Sequence, residues 1–210
     1  GIRFFERAHI KDVLAFLRIY NNLEDTVAWS RVLNMQVGIG PAAAEVIMKT
    51  LKHENMKTVS MTDEEKSEYN HPARADIDNI SISLPARAQV GWNDFLQIWS
   101  ACAEATADKD APEPAELIRA VIDSKYKDYL ENEYPDYRER LQDLEQLAVF
   151  AEREQDLNKF LADASLHESY AAGQVKDAEA DGNEEKLVLS TIHQAKGLEF
   201  DWVILMGLVQ

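Results

Sequence analysis

A short loop near the end of the chain carries polar side chains of the kinds that bind ligands. It contains a hydroxyl, an imidazole, an ammonium group, a carboxylate and one glycine: Thr191, His193, Lys196, Glu199 and Gly197. Apolar runs flank this loop at residues 187–190 and 202–206, and such runs are typical of strands in the middle of a sheet. Because function collects on loops at strand ends in α/β nucleotide-handling folds, this stretch is a candidate ligand-binding loop.

Three basic residues near the start of the chain fall on one side of a predicted helix. Apolar residues at positions 10, 13, 14 and 17 have the spacing of an amphipathic helix, which we expect to end near residues 20–22. On this helix Arg7, Lys11 and Arg18 lie within roughly 40° of one another, whereas Asp12 points elsewhere. A narrow cationic stripe suits the repeated charge of a nucleic-acid backbone. The alternative is an ordinary solvated helix face.

A glycine-containing turn joins two further predicted helices, at residues 23–33 and 42–51. The turn contains Gly38, Ile39 and Gly40, and Pro41 follows at a position suited to the start of a helix. Glycines allow a tight turn and expose backbone N–H groups at a helix N-terminus, which is a natural phosphate site. The sequence therefore predicts a helix-hairpin-helix, with a plain helix–helix turn as the alternative.

The remaining pattern is mostly helical. We predict helices at residues 84–106, 115–124, 125–133, 137–153 and 157–166. Residues 53–83 lack a helical period and are expected to be irregular, and residues 107–114 and 173–185 are expected to be connectors. Short strands are predicted at residues 2–5, 187–191 and 202–206. The expected fold is mainly α with a small β component.

Several helical residues are expected in the core. The apolar side of the helix at 23–33 is predicted to hold Val27, Trp29 and Val32, and that of the helix at 137–153 to hold Leu141, Leu144, Leu147 and Phe150. The helix at 84–106 is predicted to bury Val90, Phe95, Ile98 and Trp99. Trp92 and Trp99 could stack on bases, but a tryptophan at helical spacing is more often part of a core.

The net charge of −16 argues against a nucleic-acid partner, but the charge is unevenly distributed. Residues 101–190 hold 23 acidic and 10 basic residues, whereas residues 1–100 hold 13 acidic and 11 basic residues. The acidity therefore belongs mainly to one half of the chain. A local basic stripe in the other half can still bind a nucleic-acid duplex.

Other features of the composition narrow the class of protein. A single cysteine, Cys102, excludes an internal disulfide and fits a reducing cytoplasm. No apolar run has membrane-spanning length, so no membrane partner is expected. The five histidines lack metal-ligand spacing, so no metal site is expected. The chain begins within one apparent strand and stops just after another, and we therefore expect it to be part of a longer protein.

Two segments resemble a known family. Thr-x-His-x-x-Lys-Gly-Leu-Glu-Phe at residues 191–200 resembles motif V of the superfamily 1A DNA helicases of the UvrD/PcrA/Rep type. Residues 1–7, Gly-Ile-Arg-Phe-Phe-Glu-Arg, followed by Ile-Lys-Asp at 10–12, resemble the segment that opens the 2B subdomain of these helicases. The two segments occur in the family's order and at about its spacing.

The resemblance implies a parent that is an ATP-dependent helicase moving 3′ to 5′ on single-stranded DNA. Residues 1–180 would then form 2B, and residues 185–210 would re-enter the RecA-like domain 2A. The resemblance places Lys196, Gly197 and Glu199 at the nucleotide, with Glu199 on the ribose. It places Thr191 and His193, again with Lys196, toward the single strand.

The resemblance also assigns duplex contacts. These are Arg7, Lys11 and Arg18 on the first helix and Gly38, Ile39 and Gly40 in the hairpin. Relatives usually have arginine before the first glycine and polar residues after the second, where this chain has Val37 and alanines at 42–44. Duplex binding weaker than in those relatives is therefore expected.

Cofactors and partners follow from the same resemblance. ATP and Mg²⁺ are expected in the full-length parent and none on these residues, because no Gly-x-x-x-x-Gly-Lys-Ser/Thr occurs in the chain. We accordingly expect these 210 residues to lack ATPase activity by themselves. The expected partners are a 3′ single-strand/duplex junction, helicase domains 1A, 1B and 2A, and repair proteins of the bacterial nucleoid.

Two other readings of the sequence stay open. A free-standing helix-hairpin-helix module would bind duplex without a motor, although it would have no use for the loop at 191–200. An interaction domain with no nucleic-acid role would suit the net charge of −16. Within the helicases, the same motifs leave open the nuclease-fused AddA/RecB branch.

Overall fold

The computed structural model describes residues 4–59, 77, 80–107 and 111–171, and this part of the chain is helical. It contains eight helices: α1 (Ala8–Asn21), α2 (Thr26–Asn34), α3 (Pro41–Val59), α4 (Ala86–Thr106), α5 (Pro114–Ile122), α6 (Lys125–Glu133), α7 (Tyr137–Ala151) and α8 (Leu157–Ala171). The predicted mainly α fold is confirmed. By its contacts the chain divides into two units, Gly1–Gln174 and Val175–Gln210, and the eight described helices belong to the first.

The predicted β component is not found in the described residues. Phe4 and Phe5 lie in a turn in which the Arg7 N–H donates to the Phe4 carbonyl oxygen at 3.2 Å, so these two residues do not form the expected strand. The other predicted strands, at 187–191 and 202–206, lie outside the described residues.

Helix α1 lies at the centre of the packing. It contacts α2, α5, α7 and α8. The four apolar positions that predicted it are fully buried: Ile10, Val13, Leu14 and Leu17. Phe16, Ile19 and Tyr20 are buried as well, so α1 is enclosed on more sides than its amphipathic pattern required. Because α1 is enclosed in this way, each of its few polar side chains must either lie on the remaining exposed side or find a partner within the core.

An aromatic cluster joins α1 and α2 to α4. Its centre is Phe95, whose ring lies 5.0 Å from that of Trp92 and 5.3 Å from that of Trp29. The rings of Phe16 and Trp99 lie 6.3 Å and 5.9 Å away. Trp92 and Trp99 are each 2% exposed, as predicted for core residues. These rings hold the start of the chain against α4.

Two predicted core residues are on the outside. Val27 is 75% exposed and Val90 is 56% exposed. Val90 lies roughly 140° around α4 from Phe95, on the face away from the cluster. The other predicted core residues of these two helices are buried, as are Leu144 and Leu147, while Leu141 and Phe150 pack against the core in part.

Helix boundaries differ from the prediction mainly in α3 and α8. Helix α3 continues to Val59, so the expectation of irregular chain from residue 53 is wrong for residues 53–59, and α8 continues to Ala171. Helix α2 starts at Thr26 rather than at residue 23, because the Asp25 side chain accepts from the Ala28 N–H at 2.9 Å and caps the helix there. Helix α6 has the predicted bounds.

Two further properties bear on experiments. The sole cysteine, Cys102 on α4, is buried, and burial raises the pKa of its thiol to about 12. Within the described ranges, none of the helices has both the length and the apolar character needed to cross a membrane.

Candidate nucleic-acid interface

The predicted hairpin lies between α2 and α3 and presents its second glycine to solvent. Gly38 has φ +79°, in the left-handed region that favours glycine, while Ile39 is 6% exposed and anchors the turn in the core. The Ile39 N–H donates to the Gln36 carbonyl oxygen at 3.2 Å, and α3 begins at Pro41 as expected. Gly40 has no atom within 4 Å of the place where a Cβ would lie.

The exposed tip of the hairpin is the N-terminal turn of α3. Gly40, Pro41 and Ala42 are exposed, and the Gly40 carbonyl oxygen accepts from the Ala44 N–H at 2.9 Å, which starts the helical hydrogen bonds. The N–H groups of a first turn have no partner inside their helix, and the helix dipole makes this end positive. An anion can therefore approach the backbone here without displacing a side chain.

The hairpin rests on α4 through two close backbone approaches. A Cβ on Gly38 would lie 2.4 Å from the Arg87 carbonyl oxygen, and a Cβ on Gly91 would lie 2.3 Å from the Val37 carbonyl oxygen. Both glycines are therefore needed for this contact. Sequence reasoning missed Gly91 and Arg87, although a glycine within a helical pattern is a signal of a close backbone approach.

The basic stripe faces acidic residues of α7 and α8; Lys11 and Arg18 lie on α1, and Arg7 is the residue just before it. Arg7 pairs with Asp143, the Lys11 Nζ lies 3.0 Å from a Glu168 carboxylate oxygen, and an Arg18 guanidinium nitrogen lies 3.4 Å from the other Glu168 oxygen. Arg18 also donates to the Ser165 hydroxyl at 3.0 Å. Lys11 and Arg18 are each about one-third exposed. The structure thus brings the three predicted bases together on one surface, and each has a carboxylate partner.

Buried His9 connects this stripe to α7. Its Nδ1 lies 3.0 Å from an Arg140 guanidinium nitrogen and its Nε2 lies 2.9 Å from an Asp143 oxygen. Because the guanidinium can only donate, Nδ1 accepts and Nε2 carries the proton that is donated to Asp143, which is the neutral imidazole. Burial lowers the pKa of His9, and the charges of Arg140 and Arg7 lower it further against the opposing effect of Asp143.

Asp12 lies away from the stripe, as predicted, and is buried. It accepts from the Arg31 Nε at 2.7 Å and from the Tyr126 hydroxyl at 3.2 Å, which ties α1 to α2 and α6. Burial raises the pKa of Asp12, while Arg31 opposes that effect. These contacts assign Asp12 a role in holding the helices together.

The predicted nucleotide and single-strand residues cannot be placed in the same way. Thr191, His193, Lys196, Gly197 and Glu199 lie outside the described residues. Among the described residues, no group of histidine, cysteine or acidic side chains is arranged to hold a metal ion. Of the predicted site, the structure therefore describes the residues expected to contact duplex DNA.

Comparison with known families identifies the family to which this chain belongs. Residues 1–210 match the family described as UvrD-like helicase C-terminal domain, and the chain belongs to that family. The chain is 30% identical over 214 residues to DNA helicase II of Escherichia coli (strain K12), covering 99% of this chain and 27% of that protein. The predicted resemblance to helicases of the UvrD/PcrA type is confirmed.

Other relatives show the same coverage. DNA helicase II of Salmonella typhimurium is also 30% identical over 214 residues. ATP-dependent DNA helicase PcrA of Staphylococcus epidermidis is 28% identical over 219 residues. Each match covers 99% of this chain and 27% of the relative, so the chain spans about a quarter of the length of these curated relatives.

Proposed function

We propose that this chain is the 2B subdomain and motif V segment of an ATP-dependent 3′–5′ DNA helicase. Residues 1–180 would form 2B, and residues 185–210 would belong to 2A. In the full-length parent, with ATP and Mg²⁺, Lys196, Gly197 and Glu199 would bind nucleotide, and Thr191, His193 and Lys196 would bind the single strand. The helical domain would hold the duplex next to the 3′ single-strand junction. Family membership and the names of the helicase relatives support this proposal.

The exposed hairpin is the observation that carries the duplex-binding part of the proposal. Ile39 is anchored in the core, while the backbone from Gly40 to Ala42 is open to solvent at the positive end of α3. The backbone N–H groups here can donate hydrogen bonds to a phosphate, and these contacts involve no base. Such contacts position a protein on DNA independently of sequence.

Because the net charge is −16, the attraction for DNA must come from short-range contacts at the hairpin and not from the charge of the whole chain. Helix-terminal N–H groups carry partial charges, so they attract a phosphate at close range and contribute little to long-range attraction. We therefore expect weak, sequence-independent binding whose dependence on salt reflects only a few displaced counterions.

A charge placed at the hairpin tests this function. We expect Ala42→Glu to lower the affinity for a duplex with a 3′ single-stranded tail by about tenfold, because a carboxylate would face the phosphate. The same change should leave the folded state as stable as before or stabilise it by about 0.3–1 kcal/mol, since an acid in a first turn complements the helix dipole. Fluorescence anisotropy titration and thermal unfolding measure the two effects.

A matched variant separates position from net charge. Val149 on α7 is 56% exposed, and Val149→Glu adds the same charge on a different helix. Its duplex affinity should stay close to that of the parent chain. Equal loss of affinity in both variants, or none in Ala42→Glu, would contradict duplex binding by the hairpin.

The paired stripe favours one alternative, a protein-interaction domain without a nucleic-acid role. The acidic partners of Arg7, Lys11 and Arg18 come from the acidic half of the chain, and these ion pairs join helices without any ligand. Under that alternative the parent chain would show no salt-dependent duplex binding. The titration therefore distinguishes the two functions before any variant is made.

A further inference from the structure

The hairpin has no basic side chain of its own. Residues 34–44, from the end of α2 to the first turns of α3, contain no lysine or arginine. Lys49, the first base along α3, is 2.6 Å from Glu45 and is paired with it. A phosphate held only by backbone N–H groups would lack the full positive charge that a lysine or arginine side chain supplies.

Arg87 places a basic side chain against this hairpin from a distant part of the sequence. It lies in the first turn of α4, and its Cγ is 2.5 Å from the place where a Cβ on Gly38 would lie. The stem of the arginine is therefore packed directly on the face that Gly38 leaves open. The absence of a Cβ at Gly38 makes room for both the Arg87 backbone and its side chain.

Unlike the stripe residues, Arg87 has no ion-pair partner for its positive charge among the described residues. It is exposed and makes no hydrogen bond or ion pair there, whereas Arg7, Lys11 and Arg18 each have a carboxylate partner. A guanidinium offers five N–H donors in a fork that matches two phosphate oxygens. Within the described part of the chain, no partner has to be displaced before Arg87 binds an anion.

We propose that Arg87 is the basic side chain of the hairpin's phosphate site, acting together with the backbone N–H groups at the start of α3. The inference rests on the proposed duplex-binding function and adds a residue to it. Because the contact is with the DNA backbone, it contributes affinity without sequence preference. The Arg87 stem approaches the hairpin from α4 at Gly38, so in the proposed site this residue would supply the positive charge that Val37 does not.

Two substitutions at Arg87 test the assignment in the 210-residue chain. Arg87→Gln keeps a Cγ against Gly38 and removes the charge, and it should weaken duplex affinity about fivefold to tenfold and lower the slope of log K against log salt by about 0.9. Arg87→Lys keeps the charge and loses the fork, so it should retain the slope and lose part of the affinity. The loss should be the same for duplexes of different sequence.

The control is Arg153→Gln, which removes an exposed positive charge that follows α7. It should leave both affinity and slope near those of the parent chain. Equal effects of Arg153→Gln and Arg87→Gln would overturn the assignment. So would a parent-like slope in Arg87→Gln while Ala42→Glu still weakens binding, and in that case the hairpin function would stand. If the unsubstituted 210-residue chain shows no salt-dependent duplex binding, both the proposed function and this inference are contradicted.

Discussion

His9 is a buried imidazole whose surroundings dictate its charge. Arg140 donates to one ring nitrogen and Asp143 accepts from the other, so protonation would place a second donor against the guanidinium. The lowered pKa of His9 follows from burial and from that arrangement. The cluster also fixes Asp143, which pairs with Arg7 at the start of the basic stripe.

The neutral state of His9 makes stability depend on pH. The unfolded chain takes up a proton on this imidazole near the ordinary pKa of 6.5, whereas the folded chain takes it up only at lower pH. The free energy of unfolding should therefore fall as pH drops from 6.5 toward the folded-state pKa. Urea unfolding at pH values on either side of 6.5 measures the change.

Substitution isolates the contribution of His9 from those of other titrating groups. His9→Gln retains a donor for Asp143 and an acceptor for Arg140, and its stability should depend less on pH in this window than that of the parent chain. His53→Gln removes an exposed imidazole from α3 without touching the cluster, and serves as the control. An unchanged pH dependence in His9→Gln would show that the imidazole is not held neutral by the fold.

Individual residues were predictable from sequence where a local rule decided their place. The periodicity around Phe95 and Trp99 placed them in the core, and Pro41 marked the start of α3. The ion pairs of Lys11 and Arg18 were not predictable, because their partner lies about 150 residues away in the sequence. The contact of Arg87 with Gly38 depends on how α4 packs against the hairpin, which no local pattern specifies.

At the scale of elements, α4 is the support on which the hairpin rests. The Val37 backbone approaches α4 at Gly91, and the Gly38 backbone approaches it at Arg87. A glycine within a helix costs about 1 kcal/mol relative to alanine. The chain keeps Gly91 in α4 despite that cost, because a side chain there would collide with the hairpin.

Gly91→Ala should therefore destabilise the fold even though alanine is the better helix former. The added methyl would lie 2.3 Å from the Val37 carbonyl oxygen and 3.1 Å from the Gln36 Cβ, so the hairpin must move. We expect a net loss of about 1–3 kcal/mol in the free energy of unfolding, measured by urea titration, together with weaker duplex binding. Gly40→Ala, with open space around the new methyl, should keep the stability of the parent. A Gly91→Ala chain as stable as the parent would contradict this account.

Hydrophobic periodicity predicted helix boundaries well where buried apolar residues recur at helical spacing, and less well elsewhere. Helix α1 ends where predicted because its apolar residues recur along its length, and α6 has the predicted bounds, with the Ser124 side chain accepting from the Tyr126 N–H at its start. The sequence of residues 53–59 shows no sustained helical repeat of apolar residues, so the continuation of α3 could not be predicted from hydrophobic spacing. Val27 was assigned to the core as an apolar residue, yet the direction of α2 leaves it exposed.

At the scale of the whole molecule, the two halves of the chain are joined by opposite charges. The first 100 residues are nearly neutral. Arg7 pairs with Asp143 on α7, and Lys11 and Arg18 of α1 pair with Glu168 on α8. Ion pairs between partly exposed groups contribute only about 0–1 kcal/mol each, so other charges can replace these partners at small cost. A DNA phosphate is one such charge.

Removing the shared carboxylate should free the stripe for duplex binding. Glu168→Gln removes the carboxylate partner of Lys11 and Arg18, and we expect higher duplex affinity and a salt slope steeper by up to about 1.8, or 0.9 for each freed base. Anisotropy titrations at several salt concentrations measure both quantities.

Asp163→Asn is the control for net charge on α8. Asp163 is exposed on the same helix, and its loss removes one negative charge without releasing either base. If Asp163→Asn and Glu168→Gln increase affinity and slope equally, then Lys11 and Arg18 serve to join helices and do not contact DNA.

The burial of Cys102 makes the chain suited to site-specific labelling. Its thiol is the only one in the sequence, and its raised pKa keeps it from forming a reactive thiolate near neutral pH. A cysteine introduced at exposed Val37 would therefore be the one group that a maleimide dye modifies in the folded chain. A fluorophore attached there would report directly on what approaches the hairpin, without first removing a native thiol.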